Sequence, residues 1–265
     1  PSYNERVNIE EAIERTSNAL GAKLLEIIIV DDDSSDGTWE LVKKLNLPKV
    51  KLIHRTEEKG LASAIATGVE ESKGEIIVWL DCDLGIAPEL IPVLIENINQ
   101  NDVVIGSRYV EGGEDLRSNF RAFLSRLLNK FAQLLLGSHL KDYTSGFSAI
   151  RKSILNNITI SRDGFGEYFI EFLFDCQRKG YKIHELGYTF NDRMHGISKS
   201  GETFLDILKV GRYYVSRILR LSISKITKRL YTTLSELTYP VIVMWIRFIE
   251  RTKEEGIKKA VNEIL

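Results

Sequence analysis

Short runs of β-branched residues recur through the first half of the chain, each followed by a stretch with helical spacing. This alternation constrains the fold more than any other feature. Glu26 to Val30 (EIIIV) is a continuous apolar run, which suits a strand buried on both faces. Val50 to His54, Glu75 to Leu80 and Asp102 to Ile105 share that character. Thr38 to Leu45, Leu61 to Ser72 and Pro88 to Ile98 lie between them with helical spacing and helix-start residues. Strands and helices at this interval make βαβ units, so the fold class is α/β with a mostly parallel, Rossmann-like sheet and flanking helices. In such sheets ligands bind where loops leave the strand ends.

The pattern continues with an amphipathic helix over Leu116 to Leu136, a short strand over Ser145 to Ile150, a helix over Tyr168 to Lys179 and a strand over Lys182 to Phe190. From Thr203 onward the spacing is helical. The predicted organisation is a catalytic domain over 1–220 and a helical tail over 221–265 that associates with a membrane or a partner. The chain opens at Pro1, so a first strand of the sheet is expected upstream.

With 265 residues and 43% hydrophobic content, the chain can bury a sizeable core. Its net charge of -1 gives no whole-molecule attraction to nucleic acid. Cations are concentrated locally, at Lys209, Arg212, Arg217, Arg220, Lys225, Lys228 and Arg229, with no acid between Asp206 and Glu236. Two cysteines, Cys82 and Cys176, make no disulfide framework and lack zinc-ligand spacing. No apolar run reaches the length of a membrane span.

Acidic residues gather where strands end. Asp31-Asp32-Asp33-Ser34-Ser35-Asp36-Gly37 follows EIIIV directly. Asp36-Gly37 reads as punctuation before the Thr38 helix, whereas Asp31 and Asp32 exceed what a turn needs. Four acids in six residues repel one another unless a ligand or cation compensates. Asp81-Cys82-Asp83 follows the Glu75 to Leu80 strand, and two carboxylates one residue apart can converge on Mg²⁺ or Mn²⁺. Gly106-Ser107-Arg108-Tyr109 and Arg193-Met194-His195-Gly196-Ile197-Ser198-Lys199 place cations in loops suited to phosphate oxygens, while Arg126 reads as a solvated surface residue. Gly164-Phe165-Gly166 lacks the third glycine of a dinucleotide fingerprint, because Phe169 stands there. No nucleophile elbow, P-loop or H-E-x-x-H is present.

Taken together, Pro1-Ser2-Tyr3-Asn4-Glu5, Val30 to Gly37, Lys59-Gly60-Leu61, Asp81-Cys82-Asp83-Leu84, Gly106 to Tyr109, Ser145-Gly146-Phe147 and Gly196 to Lys199 resemble the family 2 glycosyltransferases of the GT-A fold. The likeness is nearest to dolichyl-phosphate mannose synthases and related polyprenyl-phosphate glycosyltransferases, and it runs over roughly residues 1–205. The resemblance implies that Pro1, Tyr3, Glu5, Asp32 and Lys59 contact the nucleotide and that Asp81 and Asp83 hold metal and donor diphosphate. It implies that Arg108, Arg121, Arg193 and Lys199, with Ser145, bind phosphate, and that Asp83, Arg108, Arg121 and Lys199 serve catalysis. Relatives commonly read D-x-D-x-Q at the metal motif, whereas this chain has Gly85, which supplies no side-chain ligand.

A lipid monophosphate, with a second pKa near 6, is largely anionic at neutral pH and needs no general base. Only Glu167 and Glu171 stand as weak base candidates. The expected reaction is inverting transfer of a sugar, mannose from GDP-mannose or glucose from UDP-glucose, to a dolichyl or polyprenyl phosphate. Transfer to a polysaccharide or protein hydroxyl and a non-enzymatic nucleotide-sugar-binding role are the alternatives. A lipid acceptor implies association with a membrane surface at its cytoplasmic face, which the basic stretch from Lys209 to Arg229 suits as an interfacial helix. It also leaves room for a membrane-protein partner or a homo-oligomer.

Overall fold

β1 (Ile27–Asp31) and β2 (Val50–His54) pair in parallel, Ile27 opposite Val50 and Asp31 opposite His54. α2 (Thr38–Leu45) connects them. The turn before α2 works through Asp36, whose Oδ1 accepts the Thr38 N–H at 3.0 Å, and through Gly37 in the left-handed region at φ 87°. α3 (Leu61–Glu70) is lined with small buried residues, Ala62, Ser63, Ala64 and Ala66. They let it lie close on β1, where a Cβ on Gly68 would meet Val30 Cγ2 at 3.4 Å.

The structure, a computed structural model, describes residues 1–137, 139–191, 209–227 and 230. The chain divides into two compact units, Pro1–Leu219 and Arg220–Leu265. The strands and connecting helices belong to the first. Helix α1 (Ile9–Leu20) precedes β1, with Glu10 and Glu11 in its first turn and Ile9 and Ile13 buried. The sequence reading did not pick it out.

A second sheet of four strands has the order β3 (Ile76–Trp79), β6 (Ser148–Arg151), β4 (Val103–Ser107), β7 (Ile183–Gly187). Here the alternation rule needs refinement, because β6 runs antiparallel to both β3 and β4 and makes this sheet mixed. α4 (Ile91–Asn97) connects β3 to β4, its approach started by a single turn at Pro88. α5 (Asn119–Leu136) connects β4 to β6 and stops at left-handed Gly137. α6 (Tyr168–Arg178) leads to β7 and buries Phe169 and Phe172, which pack edge-on against Trp79 at 6.3 and 5.5 Å.

The strand expected over Lys182 to Phe190 is divided. β7 pairs with β4, whereas β8 (Thr189–Phe190) pairs with β5 (Glu114–Asp115). The chain changes partner at Tyr188, whose N–H donates to the Ser107 carbonyl and whose own carbonyl accepts the Glu114 N–H. Gly187 permits the change, since a Cβ there would lie 2.2 Å from the Glu111 carbonyl oxygen.

Gly106 closes the core between Phe147 and Tyr188, which leave its missing Cβ only 2.6 and 2.9 Å. Overpacking of this kind costs about 1–3 kcal/mol. Gly106→Ala is therefore expected to lower the urea midpoint by that equivalent with an unchanged m-value.

Candidate active site

The three aspartates after β1 have different duties. Asp31 is fully buried and accepts hydrogen bonds from Ser2 Oγ at 2.7 Å, Ser34 Oγ at 2.7 Å and Ser34 N–H at 2.9 Å. It fastens the N-terminal segment to the strand, where Ser2 forms a parallel bridge with Asp31. Asp32 accepts Arg55 Nε at 2.8 Å on one oxygen and the Gly60 N–H at 2.7 Å on the other. Asp33, left-handed at φ 60°, meets His54 Nε2 at 3.0 Å and Lys59 Nζ at 3.4 Å. Hydrogen bonds from His54 and Lys59 hold its carboxyl below the usual range.

Repulsion along this acidic run is thus relieved by the protein's own cations, one of the two means that the sequence left open. Arg55 was missed, yet its signal was available. β1 and β2 pair in register with Asp31 opposite His54, so the next residues, Asp32 and Arg55, meet one step later. Near the N-terminus, Tyr3 is 42% exposed, while Glu5 is buried and accepts Asn8 Nδ2 at 2.8 Å. Lys59 is half-exposed.

After β3, Asp81 is exposed and Asp83 partly buried. Between Asp83 and Gly85 stands Leu84, a buried residue in the left-handed region at φ 59°. A bulky side chain rarely adopts that conformation, and such strain concentrates at functional loops. Asp83 Oδ1 accepts the Gly85 N–H at 3.0 Å, and the Gly85 carbonyl accepts the Asn191 N–H at 3.1 Å. A Cβ on Gly85 would lie 3.2 Å from Asn191 O, Asp83 Oδ1 and Phe190 Cε2 alike. The residue that departs from D-x-D-x-Q is therefore the point where the carboxylate loop meets the end of β8. Cys82 Sγ donates to the Pro1 carbonyl at 3.1 Å, which places Pro1 beside this loop, and burial pushes the thiol up to about 11.

Among the described residues no group of three His, Cys, Asp or Glu gathers that could enclose a metal ion. The Asp81 and Asp83 oxygens nevertheless suit a hard cation such as Mg²⁺, which keeps its waters and takes one or two carboxylates plus substrate phosphate. That demand fits the residues present.

Arg108 follows the end of β4. Arg108, placed on phosphate by sequence, is 4% exposed and turned to protein partners. Its Nε and Nη2 reach the two Asp142 oxygens at 2.8 and 2.7 Å, Nη2 also reaches Thr144 Oγ1 at 2.7 Å, and Nη1 lies 3.7 Å from Asp115. Asp142 is itself steadied by Glu185, which accepts its N–H at 3.0 Å. The more accessible cation of this cluster is Arg117, which sequence reasoning missed. It forks onto Asp115 at 2.9 and 2.7 Å, stays 20% exposed, and stacks 5.1 Å from the Phe190 ring centre. Its sequence signal was Asp115-Leu116-Arg117, an acid and a cation two residues apart ahead of α5.

Arg121 is partly buried in the first turn of α5. Arg126 is exposed, 5.7 Å over the Tyr109 ring. Ser145 Oγ lies 3.4 Å from the Tyr188 hydroxyl. Glu167 and Glu171, the weak base candidates, both face Arg217. Arg193 and Lys199 lie outside the described residues.

Hydrogen bonds and charge from Arg117, aided by Arg108, hold Asp115 below the usual carboxylate range against the cost of its burial. A depressed folded value stabilises the protein above the unfolded pKa of about 4, and that stabilisation is lost as pH falls through the folded value. Asp115→Asn should accordingly flatten the acid limb of stability below about pH 4. Urea midpoints measured across pH 2 to 7 check this.

Residues 1–159 match the Glycosyl transferase family 2 profile. The chain is 41% identical over 219 residues to a dolichol-phosphate mannosyltransferase of Pyrococcus furiosus, a match covering 79% of this chain and 60% of that enzyme's length. It is 34% identical over 209 residues to a polyprenol monophosphomannose synthase of Mycolicibacterium smegmatis, covering 75% and 78%. In fold it resembles glucosyl-3-phosphoglycerate synthase of Mycobacterium tuberculosis, solved with Mn²⁺, uridine diphosphate and glucosyl-3-phosphoglycerate. That likeness has a TM-score of 0.65 at 18% identity over 84% of this chain and 77% of the other. The fold is the GT-A glycosyltransferase fold, and the chain belongs to glycosyl transferase family 2.

Proposed function

We propose that the protein transfers a hexose from a nucleotide-sugar, mannose from GDP-mannose, to a polyprenyl phosphate with inversion at the anomeric carbon. The observation that carries this reading is the state of the two acids best placed in sequence to act as a base. Glu167 is buried and accepts the Phe165 N–H at 2.9 Å, and Arg217 bridges Glu167 and Glu171. Both carboxylates are engaged within the protein, whereas an acceptor phosphate brings its own negative charge. Relatives named for dolichol- and polyprenol-phosphate mannosyl transfer support the same acceptor and the same sugar.

The donor diphosphate sits at the Asp81-Cys82-Asp83 loop. Asp81 and Asp83 would hold Mg²⁺ or Mn²⁺, which when bound neutralises charge on the departing diphosphate. Pro1, Tyr3, Glu5 and Lys59 face the nucleotide. Asp32 acts on it through Arg55 and the Gly60 turn that it orders. Arg117, Arg121, Arg193 and Lys199, with Ser145, hold the acceptor phosphate. Arg108 positions this group by fixing Asp142 and Asp115.

The lipid acceptor requires a bilayer surface. On α5, Phe120, Phe123, Leu127 and Leu134 are exposed beside Arg121, Arg126 and Lys130, and Asn119–Leu136 contains no acid. In the helix after residue 208, Tyr213, Val215 and Leu219 are exposed as well. Apolar stripes with cations suit peripheral binding to anionic lipid. No helix among the described residues is long and apolar enough to cross a membrane. We assign residues 1–220 to catalysis and 221–265 to membrane or partner association.

A radiolabelled donor assay with dolichyl phosphate tests the reading. GDP-mannose with Mn²⁺ or Mg²⁺ should yield an acid-labile lipid product, and Asp83→Ala should lower turnover by about 10² or more, the scale of losing an electrostatic group at a developing charge. A product only with UDP-glucose would change the donor assignment. Absence of lipid product with every donor would overturn the reaction.

A further inference from the structure

Sheet pairing, core packing and two loops meet at Phe190, the last residue of β8. Its backbone stands opposite Asp115 in the β5–β8 pair, and its carbonyl accepts the Leu116 N–H at 2.9 Å. Its ring is partly buried, packs against the core cluster that contains Ile86 and Ile91, and meets the Tyr188 ring edge-on at 6.2 Å. Pairing and packing within the chain therefore fix where this ring stands.

Two different groups use the ring. Over its face lies the Arg117 guanidinium, 5.1 Å from the ring centre, with Arg108 at 5.7 Å. Both are within reach of a cation–π attraction. Arg117 commits Nε and Nη2 to Asp115, so the ring and the carboxylate together define the direction in which Nη1 presents its hydrogens. At the ring's edge, Cε2 stands 3.2 Å from where a Cβ on Gly85 would lie. Gly85 donates its N–H to Asp83 Oδ1 at 3.0 Å, and its carbonyl accepts the N–H of Asn191, the residue after Phe190. One aromatic ring thus stands between the carboxylate loop after β3 and the cation cluster after β4.

We propose that Phe190 is a positioning residue whose face orients Arg117 toward the acceptor phosphate and whose edge seats the Asp83 loop, with the bare Gly85 setting the spacing between the two. The inference rests on the reading that Arg117 holds phosphate and Asp83 holds the metal ion. It gives position 85 a duty on the acceptor side, although that residue belongs to the metal loop. A side chain there has to displace Phe190, Asn191 or the Asp83 carboxylate, each only 3.2 Å from the missing Cβ. Displacing the ring displaces the guanidinium that lies over it.

The test combines acceptor kinetics with metal binding in the full chain, circular dichroism confirming that each variant is folded. Loss of a cation–π contact predicts a KM for dolichyl phosphate about threefold to tenfold higher in Phe190→Leu. In an Arg117→Ala background the same substitution should add nothing to that KM, because its effect runs through the guanidinium. Gly85→Ala should weaken Mn²⁺ binding about tenfold, read by electron paramagnetic resonance without lipid, the scale of disturbing a group that orients a metal ligand. It should raise the acceptor KM as well. Additive effects of Phe190→Leu and Arg117→Ala, or an unmoved acceptor KM in either Phe190→Leu or Gly85→Ala, would overturn the proposal. A parent chain that makes no lipid product with any donor would instead reject the transfer reading, and the phosphate role of Phe190 with it. The Mn²⁺ titration decides the loop contact even then, since an affinity unchanged by Gly85→Ala would remove that part too.

Discussion

A guanidinium taken out of water must be matched by a carboxylate in register, and two such pairs order the loops of this protein. Arg55 meets Asp32, and Arg108 meets Asp142, with every partner less than a tenth exposed. Removing one member of a buried pair typically costs about 3–5 kcal/mol, because a charge is left without its partner. Each pair also fixes backbone. Asp32 holds the Gly60 turn, and Asp142 accepts the Arg108 N–H at 3.0 Å. The order of these loops therefore rests on electrostatic pairing within the chain.

That constraint leaves the exposed groups for chemistry. Lys59 and Asp33 remain about half exposed beside the Arg55 pair, and Arg117 keeps an accessible edge beside the Arg108 pair. The Asp81-Cys82-Asp83 loop differs, since its turn is held by strained Leu84 and by Gly85 against the end of β8. Loss of the usual glutamine at position 85 thereby gains a physical context. With no side chain at Gly85, the carboxylate loop comes close to Phe190 and Asn191.

How much of this was legible in sequence follows from the range of the interactions. EIIIV, the DxD loop and the Asp36-Gly37 turn are local patterns, and the strands and punctuation they imply are present. The reversed direction of β6 and the change of strand partner at Tyr188 depend on what lies across the sheet, which periodicity does not encode. Arg55, Arg108 and Arg117 show the same division. Each is visible as a cation next to a strand or turn, but whether it faces a ligand or a buried acid is decided by residues up to 34 positions away. Gly164-Phe165-Gly166 could be set aside as a cofactor motif from sequence, whereas its contact with Tyr214 spans a segment that no local pattern links.

The central claim is that the acceptor supplies its own charge and that the site holds phosphate, with Glu167 and Glu171 paired to Arg217. The most direct measurement compares transfer from one radiolabelled donor to dolichyl phosphate and to the same lipid without its phosphate, dolichol, in matched vesicles. The account predicts product with the phosphate and none with the alcohol. Comparable transfer to both would contradict it.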